Sequence, residues 1–203
     1  LFTSSGAVYG EQPANLERTP ETYSGAPDPS APGAAYGEGK RLGELKFCLN
    51  ADRLGYDVVI ARCFAFIGAH LPMDGTFAVG NFIQDVLSQR DILIKGDGRT
   101  VRSYMYAADL VVWLMHLLLR GQSKRAYNVG SPDPITIKEL GEAVLRATGS
   151  RSKITIQSPS QPGPAPRYVP DTTRIETELG LKRHYDLETA LRSTAVWAGW
   201  KQS

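Results

Sequence analysis

The sequence predicts an α/β fold. Short apolar runs alternate with segments of helical periodicity along most of its 203 residues, which is the order expected of strands and helices packed in layers. The run 57–67 is apolar nearly throughout, as in a parallel strand that is covered on both faces. This length suffices for one sizeable domain, or for two small ones that share a core.

The first third of the chain is predicted as strand, loop, helix and strand. A short apolar strand ends in the hydroxyl residues at positions 3–5. Five prolines in the segment 11–33 forbid a regular element, so this segment is a surface loop. The loop is either a plain connector or a wall of a functional site, because candidate groups stand at both of its ends. A helix at about 35–54 and the strand 57–67 follow.

The rest of the chain continues the alternation. Thr136 with Glu139 forms a capping box, and Asp171 and Asp186 are predicted N-caps. The segment 157–170 is rich in proline and reads as a loop. Helices are predicted at about 76–89, 108–119, 136–149, 171–180 and 186–197, and strands or extended segments at 92–95, 101–107, 125–129 and 154–156.

The composition excludes several classes of protein. A net charge of +2 gives no basis for a nucleic-acid or membrane-surface partner, and no apolar run is long enough to span a bilayer. The three histidines lie far apart, so no metal site is expected. Cys48 and Cys63 are expected to be reduced thiols of a cytoplasmic protein.

One pair of residues in the predicted helix points to chemistry. Tyr36 and Lys40 are four residues apart and share a helix face. A cation beside a phenol stabilises the phenolate, so such a pair can transfer protons near neutral pH. The spacing alone is weak evidence, and an ordinary exposed helix pair is the alternative.

Further motifs around this pair carry a resemblance. They are Ser4-Ser5-x-x-Val8-Tyr9-Gly10, Arg62 followed by Gly68, and Arg102-x-Tyr104-x-x-x-x-Asp109. In this order, with Tyr36-x-x-x-Lys40, they resemble the extended short-chain dehydrogenase/reductase family of NAD-dependent nucleotide-sugar epimerases and dehydratases. The combination is specific and covers nearly the whole chain.

The resemblance implies an architecture. Segments 1–68 and 107–131 would form the C-terminal part of a dinucleotide-binding domain with a Rossmann-like, doubly wound parallel sheet. Segments 69–106 and 132–203 would form a smaller, interleaved lobe that binds a nucleotide sugar. Members of the family form homodimers partly through the helix of the Tyr-Lys pair, so a homodimer is expected of the complete enzyme.

A Gly-rich turn for the pyrophosphate of a dinucleotide does not follow any predicted strand. Gly37, Gly39 and Gly43 lie inside the predicted helix without a strand directly before them, so they are rejected as a phosphate loop. The sequence therefore resembles the C-terminal portion of a family member, without its Gly-rich N-terminal half.

The resemblance also assigns roles to residues. Tyr36 would be the acid-base group, and Lys40 would support it and contact the nicotinamide ribose of NAD, with NADP left open. Ser5 would lie beside the reacting hydroxyl, with Ser4 and Thr3 as near alternatives. Arg102 matches an arginine that pairs with the diphosphate, for which a planar guanidinium is suited. The same pocket would hold Asn81 and Arg167.

Some positions depart from the family pattern. Ala65 stands where most members have asparagine, and Gln161 stands where arginine is common. Gly6 and Ala7 follow Ser5 where the 4,6-dehydratases carry an Asp-Glu pair, and the nucleotide-sugar decarboxylases carry a glutamate in this neighbourhood. The sequence therefore favours 4-epimerisation or 4-keto reduction of a nucleotide-diphosphate sugar. The alternatives are a dTDP-glucose 4,6-dehydratase-like enzyme, or a non-catalytic remnant that binds a nucleotide sugar or a partner chain.

Overall fold

The computed structural model of the chain describes residues 1–75, 77–160 and 162–201. Its strands are β1 (Phe2–Ser5), β2 (Ile60–Cys63), β3 (Phe66–Ile67), β4 (Ile92–Ile94), β5 (Val101–Arg102), β6 (Met105–Tyr106), β7 (Ala126–Val129), β8 (Ile135–Thr136), β9 (Ile154–Ile156) and β10 (Arg167–Tyr168). Its helices are α1 (Ala35–Leu54), α2 (Ala78–Leu87), α3 (Ala107–Arg120), α4 (Ile137–Thr148), α5 (Thr173–Leu179) and α6 (Leu187–Trp197).

A parallel sheet of order β1-β2-β7 organises the first core, which confirms the predicted α/β class. Ser5 pairs with Cys63, and Cys63 pairs with Val129, so all three strands end at one edge of the sheet. Polar groups carried past the carboxyl ends of parallel strands meet at such an edge. The apolar core beneath the sheet consists of Val59, Ala61, Met105, Trp113, Leu117, Tyr127, Val129, Ile175 and Leu181.

Small sheets and the helices α2, α4 and α6 enclose a second core. β4 pairs with β9 and β3 with β6, both in parallel, and β5 lies between β10 and β8. Packing joins α4 to α6 and to α2. The buried side chains of this second core are Ile67, Val79, Phe82, Ile83, Val86, Ile92, Ile94, Leu140, Ala143, Val144, Ala147, Leu191 and Ala195.

Local capping signals locate several helix ends correctly. The capping box of Thr136 and Glu139 is present at α4, and Asp186 caps α6 by accepting from the Thr189 N–H at 2.7 Å. At α5 the prediction is one residue early, because Thr172 is the N-cap. Asp171 still accepts from the Thr173 N–H at 2.8 Å, which explains its helix-start signal.

Two predicted elements differ from the structure. The apolar run 57–67 is two short strands, because the chain leaves the sheet at Phe64 and Ala65 and pairs next with β6. The Pro-rich segment 157–170 contains β10, which pairs in parallel with β5. The predicted start of the second helix, Thr76, lies outside the described residues, and α2 begins at Ala78.

Glycines let α1 approach the sheet closely. A Cβ added at Gly37 would stand 2.7 Å from the Ala7 carbonyl oxygen, and one at Gly43 would stand 2.6 Å from the Phe2 ring. Real Cβ atoms do not come so near, so larger residues would push the helix away from β1. These glycines therefore serve helix packing and hold Tyr36 next to the segment that follows β1.

Among the helices of the described residues, none has the length and apolar character needed to cross a bilayer.

Candidate active site

A cavity of about 1400 Å³ opens where the edge of the sheet meets the second lobe. Ser5, Ala7 and Tyr36 line one end of it, and Arg90 and Lys95 line it as well. Arg102 and Asn81 are also lining residues. Three acidic side chains, Asp74, Asp85 and Asp97, line the cavity too, and Arg90 is paired with Asp85 at 3.0 Å. The cavity thus brings hydroxyl groups and charged groups of both signs into one space, which suits a polar ligand.

Among the three hydroxyl residues that end β1, Ser5 is the one that lines the cavity. Its side-chain oxygen accepts from the Ala7 N–H at 3.1 Å and so caps the short 3-10 helix Gly6–Tyr9. Ser4 points the other way and donates to Glu44 at 2.6 Å, because successive side chains alternate across a strand. The geometry therefore favours Ser5 over Ser4.

Tyr36 and Lys40 stand at the first turns of α1 and face the same side. The Lys40 Nζ lies 5.7 Å from the centre of the Tyr36 ring and donates to the Thr3 carbonyl oxygen at 2.9 Å. Tyr36 is 61% exposed, so its phenol can reach a bound molecule. The ammonium is thus held beside the phenol.

The predicted substrate residues Arg102 and Asn81 both line the cavity. The Arg102 guanidinium donates to the Val101 carbonyl oxygen at 3.3 Å and lies 5.6 Å from the Tyr168 ring centre. Asn81 is bonded to the loop before α2, since its side-chain oxygen accepts from the Gly75 N–H at 2.8 Å. It therefore fixes that loop while facing the cavity.

Arg167, the second predicted cation, is placed differently. It precedes Tyr168 on β10, and the alternation of side chains along a strand turns it away from the side that Tyr168 faces. Its Nη2 donates to the Glu17 carbonyl oxygen at 3.3 Å, and it is absent from the described lining of the cavity. Its assignment to the substrate stays a prediction.

Sequence reasoning missed two aromatic residues at the reactive end. Phe64 and Tyr168 both line the cavity, with ring centres 4.6 Å apart. Burial raises the pKa of Tyr168 to about 12, a rise to which the nearby Tyr36 adds. The sequence signal for Tyr168 was its place directly after Arg167. The face to which its side chain points could not be predicted, because the sequence did not predict the strand β10.

A buried polar network below Ser5 was also missed. Arg62 donates to both carboxylate oxygens of Glu44, at 3.0 and 2.7 Å, and to the Tyr9 hydroxyl at 2.9 Å. The Tyr9 hydroxyl in turn donates to Asn128 at 2.8 Å. The network joins α1 to all three strands of the sheet, so it fixes the helix of Tyr36 relative to the strand of Ser5.

The remaining sequence expectations can be located. No residue of the loop 11–33 is among the described lining residues of the cavity, while Ala65 is one of them. Gln161 lies outside the described residues. Within those residues, no group of three or more His, Cys, Asp or Glu is arranged to hold a metal ion.

The donor set around Tyr36 fits the ribose and nicotinamide end of a dinucleotide. A lysine ammonium has three donors, and the Thr3 carbonyl oxygen takes one of them. The remaining capacity, next to an exposed phenol, suits the vicinal hydroxyls of a ribose.

Comparison with known proteins places these features in a family. The model of the family described as "NAD dependent epimerase/dehydratase family" matches residues 1–130. UDP-glucuronic acid decarboxylase 1 of Danio rerio is 31% identical over 194 residues, which cover 96% of this chain and 46% of that protein. dTDP-glucose 4,6-dehydratase of Streptomyces niveus is 28% identical over 186 residues, which cover 88% of this chain and 55% of that protein.

A solved structure is similar over almost the whole chain. It is UDP-glucose 4-epimerase with UDP-glucose from Thermotoga maritima, which is 25% identical and superposes with a TM-score of 0.84 over 97% of this chain and 62% of that one. The chain spans about half the length of the curated relatives it matches, 46% and 55% for the two described above.

Proposed function

The chain belongs to the NAD dependent epimerase/dehydratase family, and we propose that it forms part of an NAD-dependent enzyme that acts on a nucleotide-diphosphate sugar by 4-epimerisation or 4-keto reduction. The observation that carries the proposal is the placement of Ser5 and Tyr36 on one cavity wall, with the Lys40 ammonium held beside the phenol.

The proposed chemistry divides between the cofactor and the chain. NAD supplies the acceptor and donor of hydride. Tyr36, as phenolate, takes the proton of the sugar hydroxyl at the carbon that is oxidised, and returns it when that carbon is reduced. Lys40 stabilises the phenolate and would bond the nicotinamide ribose. Ser5 donates a hydrogen bond to the same sugar oxygen, which stabilises the charge that develops there.

Two arginines and an asparagine support the choice of substrate. The Arg102 guanidinium is suited to the diphosphate, to which it can donate two parallel hydrogen bonds. Asn81 and Arg167 belong to the proposed sugar-nucleotide site as well, although the bond from Arg167 to Glu17 means that its side chain has to reorient to reach a ligand. We leave the choice between NAD and NADP open.

Epimerisation or reduction is preferred to dehydration because of residues 6 and 7. Elimination of water needs an acid at the leaving hydroxyl, and Gly6 and Ala7 have no group that can serve. A Cβ at residue 6 would stand 2.6 Å from the Tyr168 hydroxyl oxygen and 2.7 Å from the Phe64 ring. An acidic side chain at residue 6 would therefore have to displace the phenol or the ring, which supports the same preference.

Further parts of the proposal concern the complete protein. We assign segments 1–68 and 107–131 to the dinucleotide-binding domain and segments 69–106 and 132–203 to the sugar lobe. The two cores follow this division for most of their residues, while Ile67 packs in the second core and Met105, Ile175 and Leu181 pack in the first. A homodimer through α1 is supported by the exposed apolar side chains Leu42, Leu45, Phe47, Leu49 and Leu54. The free thiols of Cys48 and Cys63 support a cytoplasmic location.

The reaction type is tested by incubating the complete protein with NAD and a panel of UDP-, dTDP-, GDP- and CDP-hexoses, with products followed by NMR. We expect a stereoisomer of unchanged mass or, with NADH, reduction of an added 4-keto sugar. Accumulation of a 4-keto-6-deoxy sugar, or of a pentose from a hexuronic acid included in the panel, would overturn the assignment.

The acid-base role is tested with Tyr36→Phe. The substitution removes only the hydroxyl that carries the proton, so turnover should fall by about a hundredfold to ten-thousandfold while the sugar nucleotide still binds. Tyr127→Phe is the matched control, because its hydroxyl donates to Glu178 away from the cavity. A Tyr36→Phe enzyme with turnover like the wild type would remove Tyr36 from this role.

A further inference from the structure

A series of ring contacts connects Arg102, at the cavity, with Arg62 in the buried polar network. The Arg102 guanidinium carbon lies 5.6 Å from the centre of the Tyr168 ring. The Tyr168 ring centre is 4.6 Å from that of Phe64, whose ring centre is 6.3 Å from that of Tyr9. The Arg62 guanidinium carbon lies 4.8 Å from the Tyr9 ring centre. Cations within about 6 Å of a ring centre are attracted by the ring face, so each end of the series holds a guanidinium.

The end of the series at Arg62 is fixed in place. Arg62 donates to both carboxylate oxygens of Glu44 and to the Tyr9 hydroxyl. Tyr9 itself is only 3% exposed. Because the Phe64 ring packs on Tyr9 and the Tyr168 ring packs on Phe64, the Tyr168 ring has a fixed support.

Strand pairing sets Tyr168 next to Arg102. The two residues are direct partners in the parallel pair of β10 and β5, and both line the cavity, so their side chains lie side by side on one face. The residue after Tyr168, Val169, is fully buried, and its N–H donates to the Gln12 side chain at 2.9 Å. These contacts hold β10 in register and thereby keep the ring beside the guanidinium.

Arg102 has few other contacts. Among the described residues, its guanidinium donates one hydrogen bond, to the Val101 carbonyl oxygen at 3.3 Å, and forms no ion pair with a carboxylate. Arg90 in the same cavity is by contrast paired with Asp85 at 3.0 Å. An arginine has five N–H donors, so most of those of Arg102 are left for a ligand. The neighbouring ring is then the main group that restricts where this guanidinium stands.

We propose that Tyr168 is a positioning residue for Arg102: its ring holds the guanidinium at the place where it binds the diphosphate of the substrate. The inference rests on the proposed function, because that function assigns the diphosphate to Arg102. The ring acts through its face, and the hydroxyl has no part in this role.

The physical effect is a smaller loss of conformational entropy on binding. An arginine side chain has many rotamers, and a ligand that takes two parallel hydrogen bonds from its guanidinium has to select one of them. A ring that already holds the guanidinium leaves less freedom to be lost, so the diphosphate binds more tightly. The strength of a cation–π contact sets the scale, which is about threefold to tenfold in affinity.

Calorimetric titration of the complete protein tests the inference, with UDP, dTDP, GDP and CDP as probes. The probe that binds the wild type most tightly is then used for the variants. Tyr168→Leu removes the ring and should raise the dissociation constant about threefold to tenfold. Tyr168→Phe keeps the ring and should stay within twofold of the wild type. An equal loss in both variants would make the hydroxyl responsible and would overturn the inference.

Arg102→Met completes a double-mutant cycle. Since Tyr168 acts through Arg102, Tyr168→Leu should weaken binding by less than twofold when Arg102 is already replaced. Losses that multiply would show that the ring acts on the ligand independently, which contradicts the inference. Tyr185→Leu is the matched control and should bind like the wild type. Tyr185 also packs on another ring, that of Tyr106 at 4.9 Å, but it is not among the described lining residues of the cavity.

A further comparison decides the question even if Tyr168→Leu does not fold. Fluorine atoms on a phenylalanine ring withdraw negative charge from its face and nearly keep its shape, so they weaken cation–π attraction. Trifluorophenylalanine at position 168 should therefore bind the probe at least about twofold more weakly than Tyr168→Phe. A ring that serves packing alone would give equal dissociation constants, and that result would overturn the inference.

Binding and turnover are measured separately, so failure of this inference can be told from failure of the proposed function. A wild type that shows the expected pattern of binding but converts no nucleotide sugar overturns the proposed reaction and leaves the role of Tyr168 standing. Independent losses in the cycle overturn the role of Tyr168 whatever the turnover. A wild type that binds none of the four diphosphates overturns both, because Arg102 then has no diphosphate to bind.

Discussion

Replacing Arg62 by methionine removes the guanidinium that neutralises Glu44 beneath the cavity. The side chains of Arg62 and Glu44 are only 17% and 12% exposed, and the guanidinium binds both carboxylate oxygens at 3.0 and 2.7 Å. Burial disfavours the charge on Arg62, but its bonds with Glu44 and Tyr9 outweigh that effect and raise its pKa. The guanidinium therefore stays charged, and its removal takes away the buried partner of Glu44.

The expected destabilisation follows from this geometry. Breaking a buried ion pair on one side costs about 3–5 kcal/mol. With a urea dependence of about 2 kcal/mol per molar, the unfolding midpoint of Arg62→Met should fall by about 1.5–2.5 M. In the double variant Arg62→Met/Glu44→Leu no charge is left unpaired. The hydroxyls of Ser4 and Tyr9 each lose one bond, at about 1 kcal/mol each, so the double variant should be more stable than Arg62→Met.

The assay is urea unfolding of the purified protein, followed by circular dichroism and tryptophan fluorescence. Arg90→Met is the control, because Arg90 is 61% exposed in its pair with Asp85 and should contribute less than about 1 kcal/mol. A midpoint of Arg62→Met within about 0.5 M of the wild type, or a double variant less stable than Arg62→Met, would refute the reasoning.

Two further predictions concern protonation. Hydrogen bonds from Thr189 lower the pKa of Asp186 below its unfolded value of about 3.9, so its contribution to stability is complete above that pH and is lost as pH falls through the folded pKa. Asp186→Ala should lower the free energy of unfolding by about 1 kcal/mol at pH 7 and by less in acid. Asp186→Asn keeps the cap and should lower it by less at pH 7. Equal losses of stability for the two variants, measured by melting at several pH values, would contradict this. Burial raises the pKa of Cys63 to about 11, an effect that Lys40 partly offsets, so in a Cys48→Ser background iodoacetamide at pH 8 should label Cys63 about a hundredfold more slowly than a small free thiol. Mass spectrometry measures the rate of labelling, and a rate equal to that of a free thiol would contradict this prediction.

Much of the fold could be predicted because its signals are local. The helix α1 has the predicted bounds 35–54, and the capping box of α4 consists of residues three apart. The Tyr36-x-x-x-Lys40 spacing is likewise local, so the sequence alone could place both groups on one helix face. The α/β class followed from the order of apolar runs, and the family from motifs that lie within a few residues each.

The tertiary structure decided what depends on contacts between distant segments. The family motif favoured Ser5 and left Ser4 as a near alternative, and the pleat of β1 turns Ser5 to the cavity and Ser4 to Glu44. Arg167 was predicted as a cation of the substrate pocket, yet it is the next residue on β10, Tyr168, that lines the cavity once β10 pairs with β5. The sequence by itself therefore determined which residue types reach this region. Strand register decided which of them face the cavity, because a shift of one residue would turn every side chain of a strand to the opposite face.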